Sequence, residues 1–105
     1  MRRGEIWFAE LDQPIGTRPV LLLTRNSVID GRTSLTVAPI TRTIRDIRSH
    51  VLLEEKDGLR VKCAVNLDDI ATIPRSLLTN RITMLSAEKM QEVNDAIIFA
   101  LDLRV

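Results

Sequence analysis

The chain has 105 residues, 45% hydrophobic and 28% charged, which is the balance of one globular domain and not of a disordered or fibrous protein. Its single cysteine, Cys63, cannot form an internal disulfide or build a zinc site without clustered His or Cys, so a reducing cytoplasm is expected. No apolar run approaches the roughly 20 residues that span a bilayer, and no signal-peptide pattern follows Met1, so we expect neither a membrane protein nor a secreted one.

The net charge of +1 hides an uneven distribution of charge along the chain. Residues 1–50 carry eight arginines and five acids, whereas residues 51–105 carry seven bases and nine acids. Arginine presents a planar fork of donors to phosphate and stacks on bases. The first half therefore favours a polyanionic partner without requiring one. A chain this short buries only about two-thirds of its unfolded surface, so a second subunit would help to stabilise it.

The first half of the sequence predicts three strands. Residues 4–11 alternate with the two-residue period of a strand and are apolar on both faces. Residues 19–24 predict a buried strand, in which Pro19 fits only the start because it has no amide donor. Residues 35–40 predict a third strand. The segments between these strands, 12–17 and 25–32, and the segment 41–48 are polar or carry Gly and Pro, which indicates connections.

The second half adds shorter strands and one helix. The further predicted strands are 49–54, 63–67, 70–73 and 81–85, with a turn at 55–58 and a helical turn at 74–78. Strands at this spacing favour a mainly β fold, a small antiparallel barrel or sandwich, over βαβ units. Ser86 is a good N-cap for a C-terminal amphipathic helix whose apolar residues are expected to pack on the sheet. These residues are Met90, Val93, Ile97 and Leu101. One domain over residues 1–105 is expected.

Most of the usual catalytic sets are missing from the sequence. His50, the only histidine, lies in a predicted strand and is interpreted as a structural residue in preference to a base. Asp68 and Asp69 are adjacent, so on a strand they would point to opposite faces and chelate a metal poorly. There is no phosphate-binding glycine loop and no dinucleotide fingerprint. No metal and no cofactor is expected.

Arginine and hydroxyl groups remain at two strand ends. Arg18 precedes Pro19, which favours an extended backbone at Arg18 and a fixed position for its side chain. Thr41 follows Pro39 and Ile40 at the end of the third predicted strand. An arginine held in this way can donate two hydrogen bonds to a phosphate. A solvated arginine beside a capping threonine has the same pattern, so both interpretations stay open at this point.

An ordered series of short segments is more specific than any one of them. It comprises Arg-Gly-Glu-Ile-Trp at 3–7, Thr-Arg-Pro-Val-Leu-Leu-Leu at 17–23, Val-Ala-Pro-Ile-Thr at 37–41, and residues 63–73 and 78–86. Over nearly the whole chain this series resembles the MazF/PemK family of toxin endoribonucleases. The resemblance implies an SH3-like antiparallel barrel, a homodimer, and metal-independent cleavage of single-stranded RNA at short sequences.

The resemblance also implies roles for particular residues. The essential arginine and threonine of the family correspond to Arg18 and Thr41. The implied chemistry is attack by a ribose 2′-hydroxyl on its own 3′-phosphate, which leaves a 2′,3′-cyclic phosphate and a 5′-hydroxyl. Substrate selection is expected from the neighbouring loops, and the candidate RNA-binding residues are Thr17, Arg42, Thr43 and Arg45. For Arg42, Arg45 and Arg48 a solvated loop is an equally open interpretation.

A cognate antitoxin, with a disordered acidic tail that occupies the RNA groove, is the further partner that the resemblance implies. The chain departs from the family in its short loop before Arg18, with Gly16 and Thr17 where many relatives have a longer segment. This departure leaves the Arg18 and Thr41 pair intact but argues against transferring a relative's cleavage sequence. Two alternatives to a nuclease are a toxin of the same fold that poisons gyrase by protein contact and a plain RNA-binding module.

Overall fold

The computed structural model describes residues 1–104, within which seven strands form one antiparallel sheet. The strands are β1 (Glu5–Glu10), β2 (Thr17–Leu22), β3 (Ser34–Thr41), β4 (His50–Leu53), β5 (Cys63–Asn66), β6 (Ala71–Pro74) and β7 (Leu78–Met84). Two α-helices accompany them, α1 (Asn26–Ile29) and α2 (Ala87–Ala100). Single 3-10 turns span Glu55–Asp57, Leu67–Asp69 and Arg75–Leu77. The mainly β fold with a C-terminal helix is thus confirmed.

The long strand β3 organises the sheet. The strand order is β4-β5-β3-β2-β1-β7, and β6 pairs with β3 outside this path. The first half of β3 pairs with β6, and its end, at Ile40 and Thr41, pairs with β5. One edge of β3 therefore serves two different strands in succession. The pairing of β3 with β5, and of β5 with β4, brings these two strands next to the end of β3.

Both faces of the sheet are covered, as the apolar character of both faces of residues 4–11 predicts. The larger core lies between the sheet and α2 and includes Ile6, Leu21 and Val93, all fully buried. The smaller core lies on the opposite face and includes Ala9 and Val20. Burial of each of the larger apolar side chains stabilises the folded state by roughly 1.5–3 kcal/mol. The two cores fix the strands on which the candidate site depends.

The helix α2 begins as the sequence predicts. The Ser86 hydroxyl oxygen accepts a hydrogen bond of 3.1 Å from the Lys89 amide, which caps the first turn. Met90, Val93 and Ile97 pack in the larger core, so the predicted apolar stripe is confirmed for these three residues. It is wrong for Leu101, which lies after the last helical residue and is 55% exposed. No helix within residues 1–104 has the length and apolar character needed to cross a membrane.

Three predicted boundaries differ from the structure. Residues 26–29 form the short helix α1 inside a predicted connection, because the single buried side chain Ile29 anchors it to the smaller core. Strand β2 begins at Thr17, two residues before Pro19. Pro19 is tolerated there because the ladder between β2 and β3 begins only at the next residue, Val20. Strand β7 begins at Leu78, earlier than predicted, because pairing with Ala9 of β1 extends it.

Candidate phosphate-binding site and adjoining groove

Strand alternation places Arg18 and Thr41 on the same face of the sheet. The ladder between β2 and β3 pairs Val20 with Pro39 and Leu21 with Ala38. Arg18 and Thr41 each lie two residues beyond the Val20–Pro39 pair, where this ladder ends, so their side chains point to the same face as that pair. The two residues, which the sequence separates by more than twenty positions, therefore lie on one face at the end of the β2–β3 pairing.

The pair lies at the rim of the smaller core. Arg18 pairs on its other side with Ala9, which is fully buried in that core, and Val20 on the same face of β2 is also buried there. Arg18 itself is exposed and Thr41 is half-buried. The apolar residues thus hold the backbone rigidly, while the polar ends of the two strands open to solvent.

The Arg18 side chain is free to bind an anion. Its only hydrogen bond within residues 1–104 runs from Nη1 to the carbonyl oxygen of Thr17, at 3.2 Å, and no carboxylate in that range forms an ion pair with it. The guanidinium keeps four of its five N–H donors for a ligand. An unneutralised charge at the end of a strand suits bidentate contact with a phosphate.

Thr41 is oriented by the chain that follows it. Its hydroxyl oxygen accepts a hydrogen bond of 3.0 Å from the backbone amide of Thr43. This bond uses one lone pair and leaves the hydroxyl proton available for donation. A phosphate oxygen held by Arg18 would provide an acceptor on the same face of the sheet.

The other predicted RNA-binding residues occupy different places. Thr17 is exposed at the start of β2, but its side chain lies on the opposite face from that of Arg18, because neighbouring strand residues alternate. Arg42, Thr43 and Arg45 are exposed on the connection that follows Thr41 and β3. Arg48 is not a freely solvated side chain, since its guanidinium lies 4.3 Å from the centre of the Phe99 ring.

A groove of about 250 Å3 adjoins the pair on the side of β4 and β5. Its lining consists of four residues of the β3–β4 connection and four of the strand region, namely Ile44, Arg45, Asp46, Ile47, His50, Leu52, Lys62 and Ala64. Ala64 pairs with Thr41 on one edge of β5 and with Leu52 on the other. The groove therefore starts one strand away from Thr41, about 4.8 Å in the pairing direction.

Sequence reasoning missed His50, Leu52 and Lys62 as neighbours of this site. The alternation of residues 49–54 indicates a strand but not its partner, and only the pairing of β4 with β5, and of β5 with β3, brings that strand to Thr41. The alternation therefore identified the strand but not its place in the sheet. Asp68 and Asp69 lie in a 3-10 turn and hydrogen-bond to Ser49 and Asn66, in line with their interpretation as turn or surface acids.

A larger cleft of about 560 Å3 lies elsewhere, between the Glu55–Asp57 turn and the start of α2. Its lining includes Thr83 and Glu88 but neither Arg18 nor Thr41. Lys89 in its wall already donates to the Leu52 carbonyl oxygen at 3.1 Å. We favour the smaller groove as the functional one because it is lined by Arg45, which forms no ion pair within residues 1–104, and because its lining residue Ala64 pairs with Thr41, whereas Lys89 in the larger cleft is already paired with Asp57 and Glu92.

Two buried ionisable groups lie outside the site. Burial opposes ionisation of Glu5, but hydrogen bonds from the Trp7 indole, the Arg2 amide and the Arg81 guanidinium outweigh it, and the pKa of this carboxyl is lowered. Burial raises the pKa of the Cys63 thiol, which therefore stays protonated at neutral pH. Within residues 1–104 no group of three or more His, Cys, Asp or Glu side chains is placed to hold a metal ion.

Comparisons with known proteins agree with this architecture. Residues 2–101 match the model of a family described as "PemK-like, MazF-like toxin of type II toxin-antitoxin system". A protein named "Probable endoribonuclease MazF2" from Mycobacterium tuberculosis is 43% identical over 93 residues, which cover 88% of this chain and 89% of that protein.

Two solved structures extend the comparison. That of the "Mycobacterium tuberculosis toxin MazF-mt6" is 37% identical with a TM-score of 0.89, and the match covers 96% of this chain and 99% of that one. A mycobacterial structure described as "Endoribonuclease in complex with its cognate antitoxin" is 25% identical with the same TM-score of 0.89, and covers 100% of this chain and 98% of its own. Because the family model spans residues 2–101 and the 43% identical relative covers 88% of the chain, the chain belongs to the PemK-like, MazF-like toxins of type II toxin-antitoxin systems.

Proposed function

We propose that this toxin endoribonuclease cleaves single-stranded RNA at short preferred sequences without a metal ion, with Arg18 and Thr41 as the catalytic pair. The reaction is attack of a ribose 2′-hydroxyl on its adjacent 3′-phosphate, which forms a 2′,3′-cyclic phosphate and releases the next nucleotide with a 5′-hydroxyl. The observation that carries this proposal is the pairing of β2 with β3, which supports an unpaired arginine and a donor hydroxyl on one face, just beyond the end of the ladder.

The chemistry asks the protein mainly to hold and neutralise a phosphate. Negative charge builds on the non-bridging oxygens as the 2′-oxygen attacks, and the Arg18 guanidinium stabilises that charge through two charge-assisted hydrogen bonds. Thr41 donates to the same phosphate and fixes its rotation. Loss of one such preorganised donor typically lowers the rate about a hundredfold or more.

Proton removal from the 2′-hydroxyl is not assigned to either residue. Arginine is a poor base because its pKa lies above about 12. In-line alignment of the attacking and leaving oxygens by a rigid site supplies much of the rate in reactions of this type. Arg18 and Thr41 are held by strands packed on a fully buried core, which suits them to alignment.

RNA contacts beyond the phosphate come from the connection after β3. Arg42, Thr43 and Arg45 are exposed on the connection that follows Thr41 and form no ion pair within residues 1–104. Arginine planes stack on splayed bases and bind flanking phosphates. Thr17 contributes through its backbone, because its carbonyl oxygen accepts from Arg18 and its side chain lies on the other face.

We further propose a homodimer and a cognate antitoxin as protein partners, in the reducing cytoplasm that the single buried Cys63 suggests. Exposed apolar side chains near the end of α2, including Phe99, Leu101 and Leu103, support a second copy as their cover. The relative solved with its cognate antitoxin supports the second partner. An acidic antitoxin tail would meet Arg45 in the groove and Arg18 near it, neither of which forms an ion pair within residues 1–104.

A toxin of this fold that acts by protein contact alone is the alternative, and it is less well supported. The relatives that match along most of the chain are named endoribonucleases. A surface for protein contact alone also gives no reason for an unpaired Arg18 beside the Thr41 hydroxyl.

The test is cleavage of a long single-stranded RNA by the purified protein in excess EDTA, with mapping of both product ends. We expect cuts that carry cyclic phosphate and 5′-hydroxyl ends, and a loss of about a hundredfold or more in Arg18→Ala and Thr41→Ala. Matched controls are Arg32→Ala and Thr33→Ala, which lie before the other end of β3, roughly 23 Å from Thr41 at about 3.3 Å per residue. Intact RNA at high protein concentration, or normal cleavage by Arg18→Ala, would contradict the proposal.

A further inference from the structure

Two side chains from distant parts of the chain meet at the end of the β3–β4 connection. Arg48, the last exposed residue of that connection, places its guanidinium carbon 4.3 Å from the centre of the Phe99 ring. Phe99 lies in the last turn of α2, which ends at Ala100. A cation within about 6 Å of a ring centre is attracted by the electrons of the ring face. The contact therefore joins the connection to the C-terminal helix.

Neither side chain is placed there by the cores of the protein. Phe99 is 45% exposed and belongs to neither the larger nor the smaller core. Arg48 is exposed as well, and it forms no ion pair within residues 1–104. Core packing therefore does not force the two residues together, and their own attraction holds the Arg48 side chain on the helix.

Arg48 belongs to a tight turn that a second contact holds from another direction. The His50 amide donates to the Ile47 carbonyl oxygen at 3.0 Å, which closes a four-residue turn over 47–50. Inside it, the Ser49 hydroxyl, 2% exposed, donates to the Asp68 carboxylate at 2.6 Å. Asp68 lies in the 3-10 turn between β5 and β6, whereas Phe99 lies in α2. One contact fixes the position of the turn, and two contacts from neighbouring residues to different elements fix its orientation as well.

The orientation of this turn sets the path of the residues before it. Residues 42–46 are exposed and form neither strand nor helix, so the two ends of the connection determine where these residues lie. One end continues β3, where the Thr43 amide donates to the Thr41 hydroxyl oxygen at 3.0 Å. The other end is the turn. A contact residue that is already held in place loses less freedom on binding a ligand, which raises affinity. A turn in one orientation therefore favours binding of RNA by Arg42 and Arg45.

We propose that Phe99 is a positioning residue for RNA binding: it holds Arg48, and through Arg48 it orders the β3–β4 connection before RNA arrives. The inference rests on the proposed nuclease function and deepens it. Phe99 contacts neither the RNA nor the phosphate bound at Arg18, so its loss weakens binding and leaves the chemical step unchanged. A cation–π contact at an exposed site favours the held arrangement by about two- to fivefold.

The first test measures KM and kcat on a short single-stranded RNA that carries one cleavage site found by end mapping. Phe99→Leu keeps an apolar side chain and every charge but removes the ring face. We expect it to raise KM by about two- to fivefold with kcat unchanged. Phe99→Trp keeps a ring face and should keep the wild-type KM. The matched control is Val61→Ala, an apolar residue of the β4–β5 connection that is 47% exposed, and it should change neither constant.

A double-mutant cycle shows whether Phe99 acts through Arg48. Residues that act as one unit give effects that do not add. Addition of Phe99→Leu to Arg48→Ala should therefore raise KM no further than Arg48→Ala alone. An equal further rise would show that Phe99 acts by another route and would overturn the inference. Light scattering gives the mass of each variant in solution, and a lower mass in Phe99→Leu would assign its KM to subunit assembly instead.

The second test uses trypsin and needs no RNA. The native protein offers cleavable bonds after Arg42 and Arg45, both exposed in the connection. Where local opening is fast compared with cleavage, the rate of cleavage follows the population of the open form. We expect Phe99→Leu to be cut at these two bonds about two- to fivefold faster than the wild type. The bond after Arg60, exposed in the β4–β5 connection, is the internal reference and should be cut at the wild-type rate.

The outcomes separate this inference from the function on which it rests. Unchanged trypsin rates in Phe99→Leu would show that the ring does not hold the connection. Faster trypsin cleavage with an unchanged KM would show that order in the connection does not matter for RNA binding, and would overturn the positioning role. A wild type that leaves RNA intact would overturn the proposed function, while the trypsin rates would still report whether Phe99 holds the connection. Thermal melting of each variant checks that its fold is retained.

Discussion

The buried carboxylate of Glu5 offers a stringent test of how the sheet is held at β1. Glu5 is 9% exposed, and its two oxygens accept hydrogen bonds from the Arg2 amide at 2.8 Å, the Trp7 indole at 3.1 Å and the Arg81 guanidinium at 2.9 Å. Glu5→Ala leaves the amide and the indole without an acceptor, at about 1–3 kcal/mol each. Arg81 is half exposed, so water can take the place of Glu5 as its hydrogen-bond partner. Loss of this ion pair therefore adds little to the destabilisation.

We therefore expect Glu5→Ala to lower the free energy of unfolding by about 3 kcal/mol, which corresponds to a fall in Tm of roughly 12–24 °C for a domain of this size. Urea and thermal denaturation at pH 7 measure it, with Glu10→Ala, an exposed glutamate of the same strand, as the control. A loss below about 1 kcal/mol in Glu5→Ala would refute the argument from unpaired donors.

The same carboxylate predicts a dependence of stability on pH. Its pKa in the folded protein is lowered from the ordinary value of 4.5, so the unfolded chain binds the proton more readily. The contribution of Glu5 is then fully present above about pH 4.5 and is lost as the pH falls through the lower folded value. Glu5→Gln cannot titrate, so the stability gap between wild type and Glu5→Gln should narrow from pH 7 to pH 3. A constant gap over that range would show that the lowered pKa is wrong.

Two further predictions concern packing and RNA binding. Gly58 has φ +98°, and a Cβ there would collide with Thr83, so Gly58→Ala should cost roughly 2–4 kcal/mol by urea denaturation, part of it recovered by adding Thr83→Ala. Gly16→Ala, at φ +69° with its nearest neighbouring atom 3.8 Å away, should show only the smaller backbone strain, and equal losses at both glycines would contradict the collision. Arg45→Ala should reduce the salt slope of binding to an uncleavable single strand by about 0.7, whereas Arg32→Ala should not. An unchanged slope would favour the solvated-loop interpretation of Arg45.

The sequence predicted those features that depend on local pattern. The cap at Ser86 and the apolar stripe of α2 follow from side chains that meet within one helix. Strand alternation located β1, β3 and β4 within a residue or two of their observed bounds. The boundaries of β2 and β7 were less accurate because pairing with β1 extends both strands beyond their own apolar runs. The helix α1 was missed because a helical pattern requires several apolar residues at regular spacing, and this four-residue helix has only one buried residue, Ile29.

The candidate site also has features that local sequence predicts and features that depend on the pairing of distant strands. Local chemistry at Arg18 and at Thr41 marked an anion-binding candidate, and the resemblance supported it, but neither predicted that the two residues lie on one face at the end of the β2–β3 ladder. Register between distant strands depends on packing of the whole sheet. The groove around His50 required two further pairings, and for this reason His50 could be interpreted from its strand alone only as a structural residue.

The proposed catalytic residues lie on strands, whereas the proposed RNA-contacting residues lie on an exposed connection. This difference affects how such a toxin can acquire a new target sequence. Arg18 and Thr41 are positioned by strands whose other side chains fill the smaller core, so the backbone that holds them is set by that core. Arg45, Asp46 and Ile47 belong to a connection that is exposed along residues 42–48 and anchored at its end, through Arg48 and Ser49. Substitutions in such a segment cost little stability, because surface positions away from buried contacts usually change it by less than about 0.5 kcal/mol. Under the proposed function, substitutions in this connection would change RNA contacts without disturbing the strands that position Arg18 and Thr41, so the preferred sequence could change while the cleavage chemistry stays the same.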